Sequence, residues 1–201
     1  MKLVLATFNR GKARELAALL ERPGVEVVGL DAFPGAVSPV ESGATLEENA
    51  TIKAEAALRA TGLPAIADDT GLEVDALNGA PGVLAARFAG PQASDADNVA
   101  LLLERLAGVA GERRGARFRT VCVAVFPDGR RMKGEGVIEG RVAEFPRGAD
   151  GFGYDPVFEV PELSKTFAEL SAEEKNARSH RARAVRALSA ALRAAETRDA
   201  K

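Results

Sequence analysis

The chain has 201 residues, of which 46% are hydrophobic and 28% charged, and a formal net charge of −2. This is the composition of an ordinary globular protein with enough length to bury a core unaided, and it lacks the basic excess of a protein that coats nucleic acid polymers. One cysteine, Cys122, and one histidine, His180, exclude a disulfide framework, a zinc finger and a histidine-rich metal centre within one chain, so any metal must be held by oxygen.

The N-terminal stretch Met1 to Thr7 carries one cation and an apolar run too short for a signal peptide. No segment has the length to span a bilayer, so the expectation is a cytoplasmic protein without membrane contact. Residues 2–7 read as a strand that ends at Thr7-Phe8-Asn9-Arg10-Gly11, after which Leu16, Leu19 and Leu20 recur at helical spacing. Pro23-Gly24 stops that helix, and Val25 to Leu30 reads as a second strand. Thr45 and Glu48 form a capping box for a helix that runs to about Ala60 and carries Lys53. Leu63 to Ala67 predicts a short buried strand that delivers Asp68-Asp69-Thr70-Gly71 at its C-terminal end.

Gly79, Pro81 and Gly82 mark an irregular loop, and Ser94 caps a helix to about Ala107 with the stripe Val99, Leu102, Leu103 and Leu106. Phe118 to Phe126, the turn at Pro127-Asp128-Gly129-Arg130, and Arg131 to Ile138 predict a hairpin, with Val157 to Val160 as an edge strand. Ser171 and Glu174 form another capping box. Val185, Leu188, Leu192 and Ala195 make a C-terminal helical stripe. In one unbroken helix Lys175 and His180 would point roughly 140° apart, so a break at Ser179 is expected between them. Residues 1–196 read as a single domain, and 197–201 as a frayed tail.

Familiar catalytic motifs are absent: Gly11-Lys12 lacks the rest of a P-loop, and neither G-x-G-x-x-G after a strand nor G-x-S-x-G occurs. Four other groups could carry chemistry. Thr7 to Lys12 joins a strand to a helix, where backbone N–H groups, a hydroxyl, an amide and a lysine can surround a phosphate; an ordinary capped turn would look the same. Glu41, Glu47, Glu48 and Asp68-Asp69 supply carboxylates, and two well-placed ones suffice for Mg²⁺ in company with substrate phosphates. Strand alternation lets one of the adjacent aspartates serve a site while the other serves the fold, and for Glu48 the capping box is the stronger of the two readings. Phe152-Gly153-Tyr154-Asp155 can bring an aromatic face and a close backbone to a base, or can be a turn with core aromatics. Lys175 with Ser179-His180-Arg181 offers cations and donors, or a solvated arginine-rich helix.

In order and spacing these pieces resemble the inosine triphosphate pyrophosphatase family, also called the non-canonical purine NTP pyrophosphatase or Ham1-like family. The matching segments are Thr7-Phe8-Asn9-Arg10-Gly11-Lys12, Glu48-Asn49-Ala50 with Lys53, Ala67-Asp68-Asp69-Thr70-Gly71-Leu72, Gly79-Ala80-Pro81-Gly82, Phe152-Gly153-Tyr154-Asp155-Pro156, and Glu174-Lys175-Asn176 followed by Ser179-His180-Arg181. The likeness runs from Leu3 to about Leu192.

The resemblance implies an α/β, two-lobed fold around a long mixed β-sheet with flanking helices, a nucleotide cleft between the lobes, and a homodimer. It implies a small-molecule nucleoside triphosphate (ITP, dITP or XTP) as substrate and Mg²⁺ as cofactor. Thr7, Phe8, Asn9, Arg10, Gly11, Lys12 and Lys53 would lie on the phosphate side. Glu41 and Asp69 would bind the metal, with Asp69 also the proton acceptor. Thr70, Phe152, Gly153, Tyr154, Asp155, Lys175, His180 and Arg181 would contact the nucleotide. A carboxylate bound to Mg²⁺ is a poor base, so metal positioning is the expected main contribution of Asp69. Donors from His180 or Arg181 aimed at a 6-keto oxygen would disfavour adenine, which presents an amino donor there. The alternatives are a pyrophosphatase of different base preference and a nucleotide-binding module without catalysis.

Overall fold

Short-range signals set the order of elements. The computed structural model describes residues 2–21 and 23–199, without the side chains of 195–199. Strand β1 (Lys2–Leu5) leads into helix α1 (Arg10–Leu20), followed by β2 (Glu26–Gly29) and helix α2 (Leu46–Thr61). The capping box of α2 is formed as expected, with the Thr45 side chain accepting from the Glu48 N–H and Gly62 closing the far end in a left-handed conformation. Next come β3 (Ala65–Val74), β4 (Pro81–Gly82), α3 (Asp95–Arg105), the hairpin β5 (Gly115–Val125) and β6 (Arg131–Val142), β7 (Phe158–Val160), β8 (Lys165–Thr166), α4 (Ala172–Arg178) and α5 (His180–Asp199). Ser179, extended at φ −61° and ψ 159°, supplies the expected break between α4 and α5. The frayed tail expected at 197–201 falls where side chains lie outside the described residues.

The strands form one mixed sheet in the order β2-β1-β3-β5-β6-β7-β8, with β4 paired to β3. Strand β1 runs parallel to β2, with Leu3 opposite Val27, and parallel to β3, with Val4 opposite Ala65. The chain divides into two compact units, one of residues up to Asp69, 120–136 and from His180 onward, the other of 70–119 and 137–179.

The first unit explains why β1 reads as an unbroken apolar run: both faces of the strand are covered. Leu3 and Leu5 belong to a cluster with Leu16 and Leu20 of α1 and Val185 and Leu188 of α5. Val4 and Ala6 join Ala50, Ala54 and Ala57 of α2 in another. Helix α5 lies hard against β6: a Cβ on Gly136 would fall 2.1 Å from the His180 carbonyl oxygen and 2.4 Å from the Ala184 nitrogen. Both neighbours are backbone, so Gly136→Ala must move the helix. It is expected to destabilise the protein by about 1–3 kcal/mol in urea unfolding, and an unchanged midpoint would show slack at this contact.

In the second unit the core gathers Leu72, Leu102, Leu106, Phe118, Phe158 and Phe167. The Phe118 and Phe158 rings are 4.5 Å apart, and Phe158 and Phe167 5.0 Å. Two expectations are corrected. Strand β3 does not stop after Ala67: it has ten residues, so Asp68 and Asp69 sit within the strand rather than at its end. Gly71 looks like a stop in sequence, yet Leu72 and Val74 beyond it are fully buried and Leu72 pairs with Gly82 of β4, which carries the strand on. Strand β7 is not an edge, because the two-residue β8 pairs with its free side. A polar Lys-Thr step is too short to register as a strand from sequence. Among the described residues no helix is long and apolar enough to cross a membrane.

Candidate active site

The turn between β1 and α1 is fixed by its own side chains. The Asn9 N–H donates to Thr7 Oγ1 at 3.1 Å, and the Lys12 N–H donates to Asn9 Oδ1 at 2.9 Å, making Asn9 the N-cap of α1. The capped turn is therefore real. It also presents positive charge to an anion, because the positive end of α1 and Lys12 share one location. Phe8, Asn9 and Arg10 are exposed, whereas Thr7, Gly11 and Lys12 are half-buried.

Lys12 and Lys53 then separate the two adjacent aspartates as strand alternation requires. Asp68 faces Lys12, with Nζ 3.3 Å from Oδ2, and accepts from Nε and one terminal nitrogen of Arg181 at 3.1 and 3.0 Å. Glu15 on α1 takes another terminal nitrogen of the same guanidinium. Asp69 instead accepts from Lys53 Nζ at 2.6 Å, and that ammonium lies 3.2 Å from Glu41 Oε1. Both aspartates are buried, Asp68 at 2% and Asp69 at 6% exposure.

Their titration is driven in opposite directions. Burial alone would raise the Asp68 carboxyl, but Lys12, Arg181 and Lys53 outweigh it and hold the group well below the ordinary carboxylate range. Burial prevails at Asp69, assisted by Glu41, and pushes its carboxyl up against the pull of Lys53 and Lys12. For Lys53 the desolvation penalty is exceeded by Asp69, Asp68 and Glu41, which favour the charged ammonium. Burial lowers Lys12 despite Asp68.

Glu41 and Asp69 thus converge on one cationic centre, at present the Lys53 ammonium, and the same oxygen pair suits a hard divalent ion. Among the described residues no group of three or more His, Cys, Asp or Glu side chains could hold a metal alone. Substrate oxygens or water would have to complete such a shell. The other acids are taken elsewhere. Glu48 Oε2 accepts from the Ala44 and Thr45 N–H groups at 2.6 and 3.1 Å, and Glu47 pairs with Lys133 at 2.6 Å. The loop that carries Glu41 is tied to α2, since the Gly43 N–H donates to the buried Asn49 Oδ1 at 2.8 Å.

The second unit holds another candidate group. Lys175 Nζ lies 2.5 Å from Asp155 Oδ2, 4.9 Å from the centre of the Phe152 ring and 5.5 Å from that of Phe167. Asp155 Oδ2 also accepts from the Phe152 N–H at 2.9 Å, and Asp95 Oδ2 accepts from the Gly153 N–H at 2.8 Å. Tyr154 points into the core and donates its hydroxyl to the Ala85 carbonyl at 2.8 Å. Phe152, half-buried, is the ring of this turn able to stack on a ligand. Thr70 follows Asp69 directly in β3 and is half-buried, and His180 is buried at the start of α5.

The first unit therefore brings together Lys12, Glu41, Lys53, Asp68, Asp69 and Arg181, and the second brings together Phe152, Gly153, Asp155 and Lys175. Sequence reading missed Glu15 and Asp95. Glu15 stands three residues from Lys12, on the same side of α1, which is the available local signal. Asp95 is a first-turn helix residue with nothing local to mark it.

These features define an α/β protein whose first unit sets two lysines and buried carboxylates at a strand-to-helix turn, equipment suited to a phosphorylated ligand with a hard cation. The chain belongs to the Ham1 family, whose sequence profile matches residues 3–191. It is 52% identical over 184 residues to the dITP/XTP pyrophosphatase of Geobacillus kaustophilus (strain HTA426), covering 92% of this chain and 90% of that one. Two solved structures share the fold: the Ham1 protein of Staphylococcus aureus, 40% identical with a TM-score of 0.84 over 96% of this chain and 99% of that one, and a HAM1 protein from Coxiella burnetii, 42% identical with a TM-score of 0.85 over 96% and 98%.

Proposed function

We propose that the chain hydrolyses the non-canonical purine nucleoside triphosphates dITP, XTP and ITP to the monophosphate and pyrophosphate, removing them from the nucleotide pool. The observation that carries this reading is the match, over nearly its whole length, to a relative named for dITP and XTP pyrophosphatase activity. The buried carboxylate and lysine cluster of the first unit supports it, since phosphoryl transfer needs positioned positive charge more than covalent chemistry.

In this proposal Lys12, Lys53 and the N–H groups of the Thr7 to Lys12 turn hold the triphosphate and spread its charge. Glu41 and Asp69 are the residues that would hold Mg²⁺, which when bound supplies charge neutralisation at the phosphoryl oxygens. Asp69 fixes the metal-side geometry and orients the attacking water. Asp68 sets the positions of Lys12 and Arg181. Phe152 offers a stacking face for the base, Lys175 with Asp155 a polar edge, and Gly153 a closely approaching backbone. Thr70 and His180 are further nucleotide contacts. Arg181 is already engaged by Asp68 and Glu15, so its contribution to base choice is made from a fixed position. The protein acts in the cytoplasm as a homodimer.

With Mg²⁺ present, pyrophosphate release from dITP, XTP and ITP is expected to exceed that from ATP and GTP by at least about tenfold in kcat/KM, a discrimination within reach of polar matching at the base. Inorganic phosphate as the product would overturn the cleavage position, and equal rates with ATP would overturn the base preference. Removing divalent ions with EDTA is expected to stop turnover. Light scattering in solution tests the dimer.

A further inference from the structure

The metal-side carboxylates already have a cation. Lys53 Nζ stands 2.6 Å from Asp69 Oδ1 and 3.2 Å from Glu41 Oε1, with its side chain only 12% exposed. A divalent ion bound by both oxygens would be forced against this ammonium, and two cations at such a separation in a partly buried site repel strongly. From this geometry we infer that Lys53 is a resident counter-ion of the metal site: Glu41 and Asp69 accept a divalent cation only as the Lys53 ammonium moves from them to the substrate's phosphates.

The charge of the surrounding cluster points the same way. In the ion pairs among the described residues, Glu15, Glu41, Asp68 and Asp69 face Lys12, Lys53 and Arg181, so four carboxylates meet three cations and this group is nearly neutral before any metal enters. A divalent ion alone would leave it with excess positive charge. A triphosphate arriving with the ion removes that excess and gives Lys53 a new anionic partner. With no third carboxylate among the described residues to strengthen the site, metal and nucleotide should bind as one coupled event, with Lys53 carrying the coupling. The α2 helix makes the exchange local: Lys53 is anchored near its middle, and only the flexible end of the side chain has to move.

The inference rests on Glu41 and Asp69 being the metal pair, and the test separates the two. Mn²⁺ alone is titrated by electron paramagnetic resonance or calorimetry into nucleotide-free wild type, Lys53→Met, Lys53→Gln and Lys53→Arg at one pH, with circular dichroism confirming the fold. Wild type and Lys53→Arg are expected to bind Mn²⁺ weakly. Lys53→Met and Lys53→Gln are expected to bind it at least about tenfold more tightly, and adding Glu41→Gln should abolish the gain. Unchanged or weaker binding in both neutral variants overturns the exchange. If wild type then still binds Mn²⁺ in the presence of a non-hydrolysable dITP analogue, and Glu41→Gln does not, the metal pair stands and only the role of Lys53 has failed. A gain that survives Glu41→Gln overturns both, because the ion is then held elsewhere.

Discussion

Asp69→Asn is expected to lower kcat for pyrophosphate release by about 10³-fold, the scale of losing a preorganised electrostatic contact at a reacting phosphoryl group. The amide preserves shape but removes the charge of one of the two carboxylates that converge on Lys53, leaving Glu41 alone at 3.2 Å. A hard cation holds a neutral amide oxygen less firmly than a carboxylate, so the proposed metal would bind weakly and out of place. The dependence on Mg²⁺ separates the two roles that Asp69 could play. If it chiefly positions the metal, raising Mg²⁺ should restore part of the lost rate. A deficit that saturating Mg²⁺ leaves untouched would assign Asp69 to the water proton instead. Near-normal turnover in the variant would remove Asp69 from the centre of the chemistry. Asp69 is also the buried partner of Lys53, so urea unfolding of the variant beside wild type separates a loss of chemistry from a loss of fold.

The local half of this site is legible from sequence because local chemistry specifies it. The capping boxes at Thr45/Glu48 and Ser171/Glu174 each close across three residues, and both are formed, as is the cap at Ser94. The same logic favours a capping role for Glu48 over a metal-ligand role, and its carboxylate accepts from the Ala44 and Thr45 N–H groups. Alternation along a strand separated Asp68 from Asp69 without saying which partner each would meet. That choice depends on strand order. Placing β3 beside β1 brings Asp68 to Lys12 at the start of α1, while α5 returns to the same unit with Arg181, 113 residues away in sequence. No periodicity encodes a pairing over that distance. Glu15 was hidden for the same reason, being an unremarkable helix carboxylate until Arg181 arrives beside it. The turn at Phe152 to Asp155 shows a different limit. Tyr154 and Phe152 are equivalent as stacking candidates in sequence, and only the hydrogen bond from the tyrosine hydroxyl to Ala85 assigns one ring to the core.

Asp68→Asn is expected to act in the opposite manner to Asp69→Asn, costing stability before chemistry. Asp68 is buried and receives two hydrogen bonds from the fully enclosed Arg181 as well as the Lys12 ammonium. Removing one partner from a buried ion network leaves charge without full compensation, and the expected loss is about 3–5 kcal/mol. Glu15 remains on the guanidinium and keeps the loss from being larger. The pH dependence follows from the sign of the shift. The folded-state carboxyl titrates far below its ordinary value of 3.8, so the unfolded chain binds more protons across that interval. The stabilisation is therefore complete above the ordinary value and is lost as pH falls below it toward the folded-state value. Urea unfolding at a series of pH values should show the gap between wild type and Asp68→Asn widest near neutrality and narrowing below about pH 4. A gap that stays constant into that acidic range would mean that the Asp68 charge is not what holds Arg181 and Lys12 in place. Because Lys12 also belongs to the turn proposed to hold the phosphates, the Asp68→Asn protein that remains folded is expected to bind nucleotide more weakly, which would link the buried network to the proposed substrate surface.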